Sequence, residues 1–510
     1  MTRAGTRCRR CNSRETCPKP AHGKHEPSLT DACGRLSPER RRAVVPYPSW
    51  LNAGDTSWQL TAATLVGLMS LPGLAVLYGG LVQRKWAVNT MIMAFSGFCL
   101  VLIVWVLWVF KMGFGQAWIG TFVGRPGTVI GALSEQGQGN IPSVSGAGLM
   151  PHFRFPQSAL VYFQFVFAAI TPLLFLGSVV GRISFKVWLI FVPLWSTFAY
   201  AVNAFLLWGG GWWAAHGALD FSGGYVIHLA AGVSGFVAAA VIGPRQKRDR
   251  SHGVPNNLLL VSVGAGILWL GWNGFNGGDP YFAGADAAAA VLNTNLATAV
   301  AMMTWIIMDM LLTKEKKATF LGGINGMIVG LVGITPAAGY VNGLGAMAIG
   351  LFGSAIVWVA WNYLSKVPPF SRVDDALGVV YTHGIAGLAG GLMVGLFADP
   401  HMIVYLGLGK NPDVTTAGLF YGHPKQLLIQ AGAALTVIVW DGLVTFLILR
   451  GIGLFMKLRL PDEVLEIGDV AIHNEEVYPS EALTRVGSGA AAPADAPAGT
   501  KPAKVPSDSS

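Results

Sequence analysis

Two histidines inside apolar segments are the residues whose type and setting point most directly to chemistry. His228 lies eight residues after Asp220, and His383 lies near the start of another apolar segment much later in the chain. Each histidine is followed by glycine at the fourth and seventh positions after it, so one motif occurs twice. A titratable ring placed in hydrocarbon is costly and by default marks a pathway. The alternative is a pair of core histidines bonded to the backbone.

The composition places the chain in a bilayer. Of its 510 residues, 53% are apolar and only 12% are charged, which is too little polar surface to cover a soluble globule. The 66 glycines favour close contacts between helices, as at Gly387 and Gly391, because lipid gives no hydrophobic drive between helices. The net charge of +9 comes from loops and tails, so we expect no nucleic-acid partner.

Eleven apolar segments reach or approach the roughly 20 residues that cross a hydrocarbon core. The predicted fold is an all-α polytopic membrane protein. The histidine motif falls on the fifth and tenth segments, which predicts two five-helix repeats, inverted because five is odd, and an eleventh helix. Inverted repeats commonly hold their site near the midplane, where the two histidines would meet. The predicted segments are 58–80, 86–110, 157–181, 186–208, 223–243, 256–275, 286–312, 318–339, 341–364, 377–398 and 426–456.

The basic residues in the loops predict the orientation. The five odd-numbered loops hold thirteen Lys and Arg, against five in the even-numbered set. Because positive loops stay in the cytoplasm, the amino end should lie outside and the carboxyl end should be cytoplasmic. The first 50 residues, with eleven Lys and Arg against four acids, argue the other way, but five separate loops agree with one another.

The two ends of the chain differ in composition from the apolar middle. Residues 1–47 read as a disordered, dispensable basic leader with a misassigned start. Cys8 and Cys11 have a zinc-like spacing without a recognised second pair, so we favour an unstructured leader over a zinc site. We expect a membrane domain over 48–456, a cytoplasmic regulatory tail over 457–486, and a disordered Ala/Pro/Ser-rich end over 487–510.

Several short motifs occur together in a fixed order, and jointly they resemble the Amt/Mep/Rh ammonium transporter family over about residues 48–480. Gly278-Asp279-Pro280-Tyr281, the Leu51–Asp55 opening and Leu465–Asp469 in the tail resemble the branch that contains the plant type-2 transporters. The other motifs are Trp208-Gly-Gly-Gly, His216-Gly-Ala-Leu-Asp220-Phe-Ser-Gly-Gly, Gly271-Trp-Asn-Gly-Phe275-Asn-Gly-Gly, Thr335-Pro-Ala-Ala-Gly339-Tyr, and Val373-Asp-Asp375 ahead of His383-Gly.

The resemblance implies a homotrimer in the cell membrane, plasma or inner, with one pore per subunit and ammonium or ammonia as substrate. A PII-type signalling protein is a candidate partner at its cytoplasmic face. His228 and His383 would be paired pore histidines that share a hydrogen bond. Burial disfavours a charged ring and two adjacent rings resist double protonation, so a neutral pair is expected. Asp220 would lie buried near the outer mouth and organise the recruitment site, and it also suits a helix N-cap.

The resemblance further assigns aromatic residues to the outer pore. Phe167 and Phe275 match two stacked gating rings, and Trp208 matches the wall of an outer ion site, where ammonium is attracted by cation–π interaction. Many relatives have serine at the position of Asp279. We therefore expect an additional carboxylate near Trp208, exposed at the pore mouth and strengthening cation capture, with an Asp-Pro turn as the alternative.

Two further positions depart from the family pattern. Many relatives have another aspartate at the position of Gly378, and the tail usually reads His-Gly where this chain has Asn474. The second departure weakens the inference that the tail regulates transport.

The expected function is an ammonium transporter or channel that recruits NH4+, removes its proton and conducts NH3, with or without the proton, past the histidines. The alternatives are an ammonium sensor that uses the same site, and an Rh-like channel for NH3 or CO2. We find no nucleophile–base motif, phosphate loop or metal cluster in the membrane part, so we expect no enzyme activity, cofactor or metal.

Overall fold

Long apolar helices form nearly all of the architecture. The computed structural model describes residues 48–145, 152–251, 254–402 and 416–479, and those from Trp50 on form one compact unit. Within these ranges, ten helices are long and apolar enough to cross a membrane and an eleventh is shorter, which confirms the predicted eleven. They are α1 (Ala53–Leu81), α2 (Arg84–Phe114), α3 (Gln157–Val179), α4 (Phe185–Ala215), α5 (Gly224–Ile242), α6 (Leu258–Gly278), α7 (Ala285–Leu312), α8 (Phe320–Ile334), α9 (Gly343–Lys366), α10 (Val380–Phe397) and α11 (Lys425–Gly453).

Short elements occupy the connections. Two strands, β1 (Ala117–Ile119) and β2 (Val123–Gly124), form an antiparallel ribbon between α2 and α3. The predicted leader and the predicted disordered end lie outside the described residues. The remaining short helices and turns are Ala132–Gln136, Pro142–Ser145, Lys247–Ser251, Phe370–Arg372, Leu419–Tyr421, Asp462–Ile467 and Asp469–His473.

The eighth helix is shorter than the predicted segment 318–339. It ends at Ile334, two residues before Pro336, which has no N–H to continue the helical hydrogen bonds. The carbonyls of the turn that follows α8 accept hydrogen bonds from another segment of the chain. Thr335 O accepts a hydrogen bond from Ser222 N, and Pro336 O accepts one from Phe221 N, so this turn holds the chain that leads into α5.

Helix α3 is the centre of the bundle. It is apolar on all sides, and 20 of its 23 residues are buried. A helix without a polar face is stable only when other helices surround it. It contacts α1, α2 and α5, which places Phe167, near its middle, in the interior.

The glycines that follow each histidine bring α5 and α10 into backbone contact. A Cβ on Gly232 would lie 2.1 Å from the Cα of Gly384, and a Cβ on Gly387 would lie 2.5 Å from the carbonyl oxygen of Gly224. No side chain fits at these distances. The prediction of close helix contacts, drawn from glycine content and spacing, is confirmed at this crossing.

The described part of the tail lies against the ends of α2 and α4. Asp469 accepts hydrogen bonds from Val88 N (2.8 Å) and Asn89 N (2.9 Å), the amides that begin the regular part of α2. Lys85 Nζ donates to the carbonyl of Leu465 at 2.8 Å. Asn474 has φ of +57°, a left-handed conformation that glycine and asparagine tolerate best. This explains how asparagine can replace the glycine of the His-Gly pattern.

Candidate functional site

The two motif histidines meet inside the bundle. His228 Nδ1 and His383 Nδ1 are 3.2 Å apart, and both side chains are buried. One ring donates this hydrogen bond and the other accepts it, which requires at least one neutral ring. His228 Nε2 is buried and has no hydrogen-bond partner among the described residues, so it is free to bond a small polar molecule. The predicted meeting of residues 155 positions apart is thus present.

Both histidines lie in a wide helical turn at the start of a helix. His228 is within the π-helical segment Gly224–Leu229, and His383 is within Val380–Ile385. Such turns insert an additional residue into an α-helix and are frequent at functional sites because they re-aim side chains. The duplicated geometry matches the duplicated sequence motif.

Trp272, which the sequence interpretation did not single out, packs against the histidine pair. Its ring stacks on His228 with centroids 5.4 Å apart and an interplanar angle of 16°. The indole Nε1 donates to Thr335 Oγ1 at 2.9 Å, which fixes the ring plane. The Gly271-Trp-Asn-Gly motif contained this tryptophan, but only the packing of α6 against α5 reveals its contact.

A column of aromatic rings leads from Trp208 to the histidines. Phe167 and Phe275 have centroids 4.3 Å apart, and Phe275 lies 5.9 Å from the ring of His228. On the other side, Phe167 meets Trp208 edge-on at 6.4 Å and 89°. The structure therefore brings together all three aromatic residues assigned to the outer pore. Closely packed rings leave no room for a hydrated ion.

Asp220 positions both Trp208 and the start of α5. Its carbonyl oxygen accepts a hydrogen bond from the indole Nε1 of Trp208 at 2.6 Å. Its Oδ2 accepts from Tyr225 N (3.1 Å) and Val226 N (3.0 Å) in the first turn of α5, although the N-cap position itself is occupied by Gly223. The second oxygen, Oδ1, is buried without a hydrogen-bond partner among the described residues. An unpaired carboxylate oxygen there favours positive charge nearby.

Asp375 is the counterpart of Asp220 in the second half, and the sequence interpretation missed this role. It accepts hydrogen bonds from Val379 N (3.2 Å) and Val380 N (2.8 Å) at the start of α10. The signal was available, because Asp375 lies eight residues before His383, as Asp220 does before His228. The two acids organise equivalent turns.

Gly378 is required by the same turn. Its φ is +75°, and a Cβ at this position would lie 2.0 Å from the ring of Trp361. An aspartate, the residue expected from relatives, does not fit this backbone and this neighbour.

Asp279 differs from the expectation that it is exposed. Its residue exposure is 4%, and its Oδ2 contacts the hydroxyl of Ser222, which is fully buried. The reason is the chain that leads into α5, which lies against the end of α6 and encloses the carboxylate. Its side-chain hydrogen bond is with Ser222 and not with Trp208, so the expectation of an exposed carboxylate beside Trp208 is wrong.

An ion pair between Arg245 and Asp374, here called the clamp, lies at the helix ends opposite the aromatic column. Arg245 binds Asp374 in a bidentate manner, with Nε to Oδ2 at 2.9 Å and Nη2 to Oδ1 at 2.7 Å. Burial of Asp374 raises its pKa, but the hydrogen bonds and charge of Arg245 outweigh that effect and leave the pKa below its usual value. The fully buried Arg182 donates to the carbonyls of Asp374 and Gly243, so three connections are joined.

Comparison with known sequences gives a consistent result. The sequence model of the Ammonium Transporter Family matches residues 57–478. Ammonium transporter 2 of Arabidopsis thaliana is 47% identical over 439 residues, covering 86% of this chain and 90% of that protein. Ammonium transporter 3 member 2 of Oryza sativa subsp. japonica is 47% identical over 443 residues, covering 84% and 90%. The predicted resemblance to the plant type-2 branch is confirmed.

Solved structures show the same fold. The crystal structure of Saccharomyces cerevisiae Mep2 is 28% identical, with a TM-score of 0.70, and the match covers 81% of this chain and 89% of that one. A structure described as a Sensor Amt Protein is 25% identical, with a TM-score of 0.68, covering 82% and 98%.

Proposed function

This chain belongs to the ammonium transporter family, a family of transporters and not of enzymes, and on that premise we propose how it moves its substrate. NH4+ is attracted to the face of Trp208 and toward Asp220. It loses a proton on the outer side of the Phe167–Phe275 ring pair. NH3 then passes the rings and is hydrogen-bonded by His228 and His383, with or without the proton following.

The buried histidine pair is the observation that carries this proposal. Within the aromatic column it offers one donor and one acceptor, which suits NH3, a molecule that donates and accepts hydrogen bonds. The pair offers too few oxygen ligands to replace the water shell of K+ or Na+. The rings of Phe167 and Phe275, with centroids 4.3 Å apart, favour passage of a small neutral molecule over passage of a hydrated ion.

The membrane setting is part of the proposal. The thirteen basic residues of the odd-numbered loops support an outer amino end and a cytoplasmic carboxyl end. We place the protein in the cell membrane as a homotrimer, following the family fold. The face that carries the tail and the Arg245–Asp374 clamp would then be cytoplasmic, where a PII-type protein would dock.

Sensing through the same site is a second candidate. The likeness to a Sensor Amt Protein supports it, because nearly all of that chain, 98%, matches 82% of this one. The contacts of Asp469 and Lys85 join the tail to the membrane helices and would carry such a signal.

Reconstituted vesicles test the proposal. Purified protein is placed in lipid vesicles containing a pH-sensitive dye, an inward ammonium gradient is applied, and current is recorded in parallel. Entry of NH3 should alkalinise the lumen faster than in empty vesicles, and a matched K+ gradient should produce no protein-dependent current. Two absences together would refute transport and leave the sensor, provided that the protein is folded: no alkalinisation beyond that of empty vesicles, as expected for NH3 alone, and no ammonium-dependent current, as expected for NH3 with its proton.

A further inference from the structure

The hydroxyl of Ser222 lies between two oxygen atoms at the outer side of the ring pair. Its Oγ is 2.9 Å from the carbonyl oxygen of Phe275 and also contacts Oδ2 of Asp279. Phe275 is among the last four residues of α6, whose carbonyls the helix leaves without an internal partner. Ser222 therefore joins a free helix carbonyl, on the residue that forms one gate ring, to a buried carboxylate.

Counting hydrogens shows what the hydrogen bonds around Ser222 gain when Asp279 accepts a proton. A serine hydroxyl has one hydrogen to donate. When Asp279 is ionised, both neighbours of Ser222 are acceptors and only one can be satisfied. When Asp279 is protonated, its O–H donates to Ser222 and Ser222 donates to Phe275, so each donor has an acceptor. A proton on Asp279 completes the chain of hydrogen bonds.

Among the described residues, the charged group that acts on Asp279 is the carboxylate of Asp220, which is negative and provides no counter-charge. None of the ion pairs between described residues includes it. It follows directly on the C-terminal end of α6, where the helix dipole disfavours a negative charge. A buried carboxylate in this position is stabilised by a cation beside it or by a proton on it. The cation that a transporter of this kind brings there is NH4+.

We propose that Asp279 is the proton acceptor for NH4+ on the outer side of the Phe167–Phe275 pair, and that Ser222 relays the change in protonation to Phe275. This inference rests on the proposed function.

The step is balanced without any further reactant. One N–H bond of NH4+ breaks and its electron pair remains on nitrogen, while the proton forms an O–H bond with Oδ2 of Asp279. The hydrogen of Ser222 turns from Asp279 to the carbonyl of Phe275. NH3 moves inward past the rings, and the proton later returns from Asp279 to water. The positioning role of Ser222 is distinct from the proton transfer itself.

Uptake kinetics separate proton transfer from simple attraction of a cation. Asp279→Asn should lower the maximal uptake rate by about a hundredfold, the low end of the effect of general base catalysis, with little change in the half-saturation concentration. Asp279→Glu, which keeps a carboxylate, should restore a measurable part of the rate. A raised half-saturation concentration with an unchanged maximal rate in Asp279→Asn would instead show attraction alone and overturn the inference.

The matched control is Asp309→Asn. Asp309 is another buried acid, and its Oδ1 accepts a hydrogen bond from Trp358 Nε1 at 2.8 Å, which an asparagine oxygen can also do. It lies near the end of α7, remote in sequence from Ser222 and Phe275. Its uptake should remain within about twofold of the wild type, because asparagine keeps the hydrogen bond from Trp358 and this position bonds neither Ser222 nor Phe275.

Infrared difference spectroscopy detects the proton directly, and its deciding measurement uses the wild-type protein alone. Addition of ammonium to wild-type protein should produce the C=O stretching band of a protonated carboxylic acid, and addition of K+ should not. The band should be absent in Asp279→Asn, present in Asp309→Asn, and shifted in Ser222→Ala, where its hydrogen-bond partner is lost. Wild-type protein that transports ammonium without this band would overturn the inference, whereas wild-type protein that does not transport would overturn the proposed function.

Discussion

Replacing Gly232 with alanine should separate the two histidines without touching either ring. The new Cβ would lie 2.1 Å from the Cα of Gly384, whereas ordinary contact begins near 3.4 Å. Because close-packed helices do not compress, α5 and α10 must move apart by about 1.3 Å. Gly232 is one turn after His228, and Gly384 follows His383. The Nδ1–Nδ1 distance, now 3.2 Å, would increase to about 4.5 Å, which is too long for a hydrogen bond.

The expected reduction in ammonium uptake follows from the loss of the hydrogen bond between His228 and His383. A buried polar atom without its partner costs about 1–3 kcal/mol, and about 1.4 kcal/mol corresponds to a tenfold change in rate or affinity. We therefore expect Gly232→Ala to reduce ammonium uptake by vesicles by about tenfold or more. Overpacking of this kind also costs about 1–3 kcal/mol, so thermal stability should decrease.

Gly266→Ala is the matched control, because Gly266 is a helical glycine of α6 and a Cβ added there would meet no neighbouring atom of the described chain within 4 Å. Uptake by this variant should match the wild type, and its thermal stability should equal or exceed that of the wild type, because alanine favours a helix more than glycine does. If Gly232→Ala folds and transports at the wild-type rate, the close crossing of α5 and α10 does not hold the histidines in register and the reasoning is refuted.

The remaining predictions concern the clamp, the tail and the outer site. The lowered pKa of Asp374 means that its pair with Arg245 stabilises the protein above the ordinary carboxyl value of 3.8 and is lost as pH falls below it. The difference in thermal stability between wild type and Asp374→Asn should therefore be largest at neutral pH and shrink in acid; a difference that grew in acid would contradict the assignment. Asp469→Ala should free the tail from the start of α2, seen as faster limited proteolysis of the tail, and unchanged proteolysis would count against the docking contacts. Trp208→Leu should raise the half-saturation concentration by about two- to thirtyfold, the range for loss of a cation–π contact of about 0.5–2 kcal/mol, and an unchanged value would remove Trp208 from the ion site.

The features that repeat along the chain were predictable. The eleven segments follow from hydrophobic length, and the meeting of His228 and His383 follows from a motif that recurs five segments later. The glycines after each histidine indicated close helix contact for a physical reason, since only backbone approach holds helices together in lipid. Hydrophobic length and residue spacing were sufficient for each of these predictions.

The environment of Asp279 was not predictable in this way. Its contact with Ser222 joins residues 57 positions apart and depends on how the chain before α5 lies against the end of α6. Periodicity contains no information on that packing, so a pore-mouth motif was read as exposed. The stacking of Trp272 on His228 was missed for the same reason. Asp375, by contrast, was missed although its spacing from His383 was visible.

Ammonium uptake by a double variant, His228→Ala with His383→Ala, tests the central claim most directly. The wild type and His423→Ala, which alters an exposed histidine, are measured in the same vesicles as controls. If NH3 passes the buried pair, the double variant should assemble normally and show no uptake above that of empty vesicles, while His423→Ala matches the wild type. Full ammonium uptake by the folded double variant would contradict the assignment of the histidine pair to the pore.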